Sequence, residues 1–90
     1  MNEIQCLVTG LVQGVSYRAY VQESATELAL VGYVKNLPNG NVEVVAQGLP
    51  DVLKDFVEYL NEGSLRAKVD SVAVDWCSPR KYYDEFSILH

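Results

Sequence analysis

The chain has 90 residues, which is the size of a single domain, and 49% of them are hydrophobic, which is more than a disordered chain contains. Seven Lys and Arg against twelve Asp and Glu give a net charge of −5. The chain therefore lacks the basic face that binds nucleic acids or anionic membranes, and we expect one folded domain over residues 1–90 with neither partner.

The first predicted elements are a strand and a helix joined by a loop. Residues 4–11 are rich in strand-forming side chains, and residues 12–17 form a loop around a glycine. From Arg18 the hydrophobic period changes to that of an amphipathic helix. Gly32 is predicted to end this helix as its C-cap. The apolar face of the helix consists of Val21, Ala25, Leu28 and Ala29.

A β-hairpin follows, with strands at residues 33–36 and 42–46. The connection, residues 37–41, contains the pair Asn39-Gly40. Asn-Gly between two strand-like segments is a strong hairpin signal, because both residue types tolerate positive φ.

A second helix and two strands complete the chain. The helix begins at Pro50, since proline suits the first helical position, and Gly63 is its predicted stop. Alternating apolar residues predict a half-buried strand with Val72, Val74 and Trp76 on one face, and a last short strand contains Phe86 and Ile88. The apolar face of the helix consists of Val52, Leu53, Phe56, Val57 and Leu60.

This order, β-α-β-β-α-β with a short extra strand, predicts an α+β fold. Two helices on one face of a mixed or antiparallel sheet bury all the apolar faces at once, as in the ferredoxin-like two-layer sandwich. Because that fold hosts many unrelated activities, function has to be argued from particular residues.

The loop that connects the first strand to the first helix is the best candidate for a binding site. The first N–H groups of a helix have no partner within the helix and lie at its positive end, so they can bind an anion. Arg18 adds a guanidinium suited to phosphate oxygens. The alternative is an ordinary connection with a surface arginine, since one glycine and one arginine are a weak signal. Asn36, at the end of a strand, either forms a turn or orients a water molecule with its amide.

Other chemistry finds little support in the sequence. Ser16 lacks the second glycine of a nucleophile elbow and an acid–His pair to activate it. His90 is the only histidine and the last residue of the sequence, so we expect it to be frayed rather than catalytic. One histidine and no pair of closely spaced cysteines make a zinc site improbable, and we expect no metal and no cofactor.

Cysteine content and the N-terminal sequence bear on the compartment. Cys6 and Cys77 are too few for a disulfide framework and are spaced unlike metal ligands. The chain begins with Met1-Asn2-Glu3, which is acidic where a signal peptide is basic, and no stretch reaches the ~18 apolar residues of a membrane span. We therefore expect a cytoplasmic protein with reduced thiols.

Two segments of the chain resemble the signatures of the acylphosphatase family. Residues 10–18, Gly-Leu-Val-Gln-Gly-Val-Ser-Tyr-Arg, resemble the first signature, G-x-V-Q-G-V-x-F/Y-R. Residues 32–43 resemble the second, G-W/Y-V/A/C-K/R-N-x-x-D/N-G-x-V-E. The resemblance continues through the second helix to residues 86–88 and so covers nearly the whole chain.

The resemblance implies an acyl phosphate phosphohydrolase with the ferredoxin-like βαββαβ fold and no metal. Its substrate is a small-molecule acyl phosphate, its products are a carboxylate and inorganic phosphate, and we expect it to act as a monomer. Arg18 then binds the phosphoryl group, and Asn36 holds the attacking water. The backbone amides of one loop form the phosphate cradle, namely those of Gln13, Gly14, Val15, Ser16, Tyr17 and Arg18.

One departure from the family pattern and one alternative function remain. The family usually has glycine or a large apolar residue where this chain has Ser16, whose hydroxyl either bonds the phosphate or strains the cradle. The alternative is a non-catalytic ferredoxin-like module that binds a small anion or a protein partner.

Overall fold

The computed structural model describes residues 1–90 and confirms the predicted order of elements. The strands are β1 (Asn2–Leu11), β2 (Val31–Asn36), β3 (Val42–Gly48), β4 (Lys68–Cys77) and β5 (Phe86–Leu89). The helices are α1 (Tyr17–Glu27) and α2 (Pro50–Glu62). Neither helix combines the length and the apolar composition that crossing a membrane requires.

The five strands form one mixed sheet in the order β4-β1-β3-β2-β5, in which only the β2–β5 pair is parallel. Alternate strand residues face both helices, and the opposite face, which we call the open face, carries no helix. The fold is therefore the predicted ferredoxin-like two-layer sandwich. The core between sheet and helices includes Ile4, Cys6, Val8, Val21, Ala25, Val34, Val44, Leu53, Phe56 and Leu60.

Helix α1 ends earlier than the sequence predicted. Its last residue is Glu27, and Ala29 adopts a left-handed conformation with φ of 57°. The N–H of Leu30 donates to the carbonyl of Ala25 at 2.9 Å, and the N–H of Ala29 donates to that of Thr26 at 3.0 Å. These two bonds are a Schellman motif, so the helix stops with alanine where glycine is usual.

The prediction that Gly32 caps α1 is wrong, because Gly32 lies inside β2 with φ of 143°. A Cβ on Gly32 would overlap the carbonyl oxygen of Val45 on the neighbouring strand. Gly32 is therefore required for the close approach of β2 and β3 rather than for a helix end.

One face of β4 is less buried than predicted. Val72 and Val74 are half-buried and pack against the core, but Trp76 is 45% exposed. Since β4 is an edge strand, Trp76 has a neighbouring strand on one side only.

Both cysteines are free, and they lie on opposite faces of the sheet. Cys6 belongs to the core, where burial, with a smaller contribution from Asp75, raises the pKa of its thiol to about 12. Cys77 lies on the open face beside Glu3. The register of β1 and β4 therefore keeps the two sulfurs apart.

Candidate active site

The connection between β1 and α1 exposes a row of unpaired backbone N–H groups. Gly14 and Ser16 both have left-handed conformations, with φ of 72° and 62°. The N–H groups of residues 13–16 donate no hydrogen bond within the protein, and Ser16, the N-cap of α1, makes no side-chain cap. Left-handed residues turn successive N–H groups toward one side, and the helix adds its positive end. The connection is therefore built to accept an anion.

Side chains and backbone around this loop fix its shape. Gln13 donates from Nε2 to the carbonyls of Leu37 and Asn41, both at 2.8 Å, and so joins the loop to the β2–β3 hairpin. The hydroxyl of Ser64 donates to the carbonyl of Val15 at 3.1 Å. A cradle held from two sides does not have to reorganise when an anion binds.

Tyr17 anchors the loop from the core side. Its ring is buried, and its hydroxyl donates to the carbonyl of Leu60 in α2 at 2.8 Å. Burial is the main cause of the raised pKa of Tyr17, with smaller contributions from Tyr20 and Cys6. Only the backbone of Tyr17 is therefore available to a ligand.

A cavity of about 200 Å³ brings the loop together with Arg18 and Asn36. Two larger cavities, of about 350 and 500 Å³, lie on the open face, but Glu3 lines both of them. No Asp or Glu side chain lines the cavity of about 200 Å³, which therefore suits an anion better than those two. Its lining consists of Val12, Gly14, Ser16, Tyr17, Arg18, Ala19, Asn36, Ile88 and His90.

Arg18 carries an uncompensated positive charge in this cavity. Its Nη1 donates to the carbonyl of Leu89 at 3.1 Å and lies 3.5 Å from Nδ1 of His90. The only ion pair of the protein, between Lys35 and Glu43, does not involve it. The remaining N–H groups of the guanidinium have no partner in the protein, which leaves a planar fork for phosphate oxygens.

Asn36 contributes an unusual acceptor. Its Oδ1 is the one buried side-chain nitrogen or oxygen atom in the protein that has no hydrogen-bond partner. Leaving a buried acceptor unsatisfied costs about 1–3 kcal/mol, and a water molecule that donates to it removes that cost. Asn36 also lines the cavity that contains Arg18, so its amide is a candidate for holding a water molecule there.

His90 lines the cavity instead of standing apart from it, contrary to the sequence analysis. Strand β5 runs parallel to β2 with Leu89 opposite Lys35, so the next residue along lies beside Asn36. The parallel pairing was not part of the prediction, and no local signal around His90 indicates its position.

Ser16 has the conformation that glycine would adopt at little cost. A left-handed conformation costs a non-glycine residue about 1–2 kcal/mol. From the sequence, we expected the Ser16 hydroxyl either to bond the phosphate or to strain the loop. The φ of 62° agrees with strain in the loop.

A family model described as Acylphosphatase matches residues 4–88. An acylphosphatase from Thermus thermophilus is 49% identical over 76 residues, which are 84% of this chain and 86% of the relative. An acylphosphatase from Marinobacter nauticus is 44% identical over 90 residues, which are 100% of this chain and 98% of the relative. The crystal structure of an acylphosphatase from Bacillus subtilis superposes with a TM-score of 0.97 at 37% identity and covers 100% of both chains.

Proposed function

The chain belongs to the acylphosphatase family and hydrolyses acyl phosphates, and from this premise we propose which groups carry out the reaction. Arg18 and the loop of residues 13–18 bind the phosphoryl group, and Asn36 positions the attacking water. The observation that carries the proposal is a single cavity that Arg18, Asn36 and the loop residues Gly14 and Ser16 line together, without an Asp or Glu side chain.

Binding of the phosphoryl group rests on donors that need no rearrangement. The unpaired N–H groups of residues 13–16 support this role, as do those of Tyr17 and Arg18 at the start of α1. The guanidinium of Arg18 adds two parallel hydrogen bonds and a full positive charge. Donors fixed before the reaction stabilise the charge that develops on the phosphoryl oxygens.

The chemical step is an attack of water on phosphorus. The water oxygen forms a bond to phosphorus while the bond from phosphorus to the acyl oxygen breaks, and the carboxylate leaves with that electron pair. One proton of the water passes to a phosphoryl oxygen, so the products are a carboxylate and dihydrogen phosphate. A carboxylate is a good leaving group, and the site therefore needs no strong general acid.

The remaining details of the proposal concern metals and the proton acceptor. The cavity lining contains no Asp or Glu side chain and a single histidine, which offers a divalent cation few of its usual ligands. We therefore propose a reaction without metal or cofactor. His90 is the only side chain of the lining that could act as a base. The phosphoryl oxygens are closer to the attacking water, because they are bonded to the phosphorus that it attacks, and we propose that one of them accepts the proton.

We propose that the protein works as a cytoplasmic monomer, and we expect light scattering to give the mass of one chain, 10.0 kDa. A net charge of −5 argues against a nucleic acid or an anionic membrane as partner. The non-catalytic alternative has no observation in its favour, because relatives named acylphosphatase match nearly the full chain.

The decisive experiment measures hydrolysis of benzoyl phosphate by the wild-type protein and by Arg18→Ala, with EDTA present. We expect turnover by the wild type and a loss of about 10³-fold or more in kcat/KM for Arg18→Ala, because removing a preorganised charged donor costs several kcal/mol. Circular dichroism checks that the variant is folded.

Arg80→Ala is the matched control, since Arg80 is exposed and lines a cavity on the open face. We expect it to retain wild-type activity. Near-normal turnover by a folded Arg18→Ala variant would contradict the assignment of the phosphate site. Activity abolished by EDTA and restored by added metal would contradict the metal-free reaction.

A further inference from the structure

A second cavity adjoins the phosphate loop on another side. It has a volume of about 250 Å³ and lies between residues 14–16 of the loop and residues 64–66 after α2. Gly14 and Ser16 line both this cavity and the one that contains Asn36. The hydrogen bond from Ser64 to the carbonyl of Val15 holds the two segments together at 3.1 Å. The two cavities therefore lie on different sides of the same loop.

The geometry of phosphoryl transfer decides what the second cavity holds. The attacking and leaving oxygens lie roughly in line on opposite sides of phosphorus. Asn36, which positions the water in the proposed reaction, lines the first cavity but not the second. A phosphoryl group on the loop therefore directs its acyl group away from Asn36, toward the space beside Ser64.

The lining of the second cavity combines an apolar and a cationic side chain. Leu65 is fully exposed, so its side chain is open to a ligand. Arg66 is exposed and has no carboxylate within 4.0 Å, since the one ion pair of the protein lies elsewhere. None of the residues that line the cavity is acidic. This part of the surface is locally attractive to anions in a chain whose net charge is −5.

From this arrangement we propose that the second cavity binds the acyl group and selects acyl phosphates whose acyl chain carries a carboxylate. Leu65 contacts the methylene groups of the chain, and Arg66 binds the distal carboxylate. This inference rests on the proposed function, because it takes the phosphoryl group to lie on the loop with its acyl group opposite Asn36. An exposed ion pair contributes little, so the selectivity is modest and decreases with salt.

Butyryl phosphate and succinyl phosphate test this inference, because their acyl chains have equal length and differ in a terminal methyl or carboxylate group. We expect the wild type to prefer succinyl phosphate at low ionic strength. Arg66→Gln lowers kcat/KM for succinyl phosphate about fivefold, mainly through KM, and changes that for butyryl phosphate less than about twofold. The inhibition constant of inorganic phosphate stays unchanged.

Arg80→Gln is the matched control, and we expect it to leave the ratio between the two substrates unaltered. Equal effects of Arg66→Gln on kcat/KM for both substrates would overturn the inference. Weaker inhibition of Arg66→Gln by inorganic phosphate would also overturn it, because it would assign Arg66 to the phosphoryl group. A wild type that hydrolyses neither substrate would overturn the proposed function itself and this inference with it.

Discussion

Asn36 holds a side-chain oxygen that is buried and has no partner in the protein. Buried polar groups in native proteins are nearly always hydrogen-bonded, and exceptions call for an explanation in terms of function or ordered water. Asn36 ends β2 at the cavity that also contains Arg18. The missing partner is a reason to test whether Asn36 holds the water that reacts.

We predict that Asn36→Ala lowers kcat for benzoyl phosphate by about 10²-fold or more, because the variant no longer positions the nucleophile. The inhibition constant of inorganic phosphate changes less than about twofold, since the phosphate donors remain. Steady-state kinetics with phosphate as the inhibitor provide both values. Similar losses in kcat and in phosphate binding would reassign Asn36 to substrate binding.

His90 tests where the proton of the water goes. If a phosphoryl oxygen accepts it, His90→Asn leaves kcat within about twofold of the wild type and does not change the shape of the pH–rate profile. The measurement is kcat between about pH 5 and 8 for the wild type and for His90→Asn. An acidic limb that is present in the wild type and absent from His90→Asn would identify the imidazole as the base.

At the scale of an element, the end of α1 depends on an unfavourable residue. Ala29 has φ of 57° and stands at the position of a Schellman motif where glycine is usual. We predict that Ala29→Gly increases the free energy of unfolding by about 1 kcal/mol, because glycine adopts this conformation without the cost imposed by a Cβ. Urea denaturation monitored by circular dichroism measures the change.

The matched control is Glu23→Gly, which is also exposed and lies in the middle of α1. There glycine lowers the free energy of unfolding by about 1 kcal/mol, because it is a poor helix former. A destabilised Ala29→Gly variant would show that the left-handed turn is not a source of strain.

Local periodicity predicted the elements well, and long-range contacts explain where it failed. The stripe of apolar residues in α2 and the Asn-Gly hairpin depend on neighbours in the sequence, and both are confirmed. Gly32 was predicted to be a helix stop because it follows the helical stripe in the sequence. The reason that it must be glycine is its close contact with β3, which the sequence does not show. Trp76 continued an alternating pattern, but an edge strand buries its last residues poorly.

The candidate site could be predicted only where its residues are close together in the sequence or belong to a family signature. The loop of residues 13–18 lies between a strand and a helix in the sequence as in the fold, and the resemblance to a family identified Asn36. His90 and the cavity beside Arg66 depend on how distant segments meet, through the parallel β5 and the turn after α2. Roles of individual residues remain predictions for the kinetic measurements above.

At the scale of the whole molecule, a buried polar cluster on the open face joins both ends of the chain. Gln47 is 1% exposed, and its Nε2 donates to Glu3 at 2.9 Å and to the carbonyl of Lys81 at 2.7 Å. Its Oε1 accepts from the N–H of Tyr83 at 3.3 Å. The cluster thus joins β1, β3 and the segment before β5. Ile88 in β5 lines the candidate active-site cavity.

The ionisation of Glu3 makes this cluster sensitive to pH. Burial by itself disfavours the Glu3 carboxylate, but hydrogen bonds from Gln47, Gln5 and Cys77 outweigh burial and lower its pKa from the usual value of 4.5. A group whose pKa is lower in the folded state binds more protons when the chain is unfolded. Its contribution to stability is therefore complete above about pH 4.5 and is lost as the pH falls through the pKa of the folded state.

We predict that Glu3→Gln lowers the free energy of unfolding at pH 7 by about 1–3 kcal/mol, because Gln47 loses a charged acceptor in a buried position. As the pH falls from 5 toward 3, the wild type loses this advantage and the two curves converge. Urea denaturation at several pH values measures the loss of stability at pH 7 and its dependence on pH. Glu23→Gln, on the exposed face of α1, is the control, and we expect it to leave the pH dependence unchanged. If the difference in free energy of unfolding between the wild type and Glu3→Gln stayed constant down to pH 3, the Glu3 side chain would contribute by packing alone. The charged hydrogen bonds of Glu3 would then not be what joins the segment before β5 to the sheet.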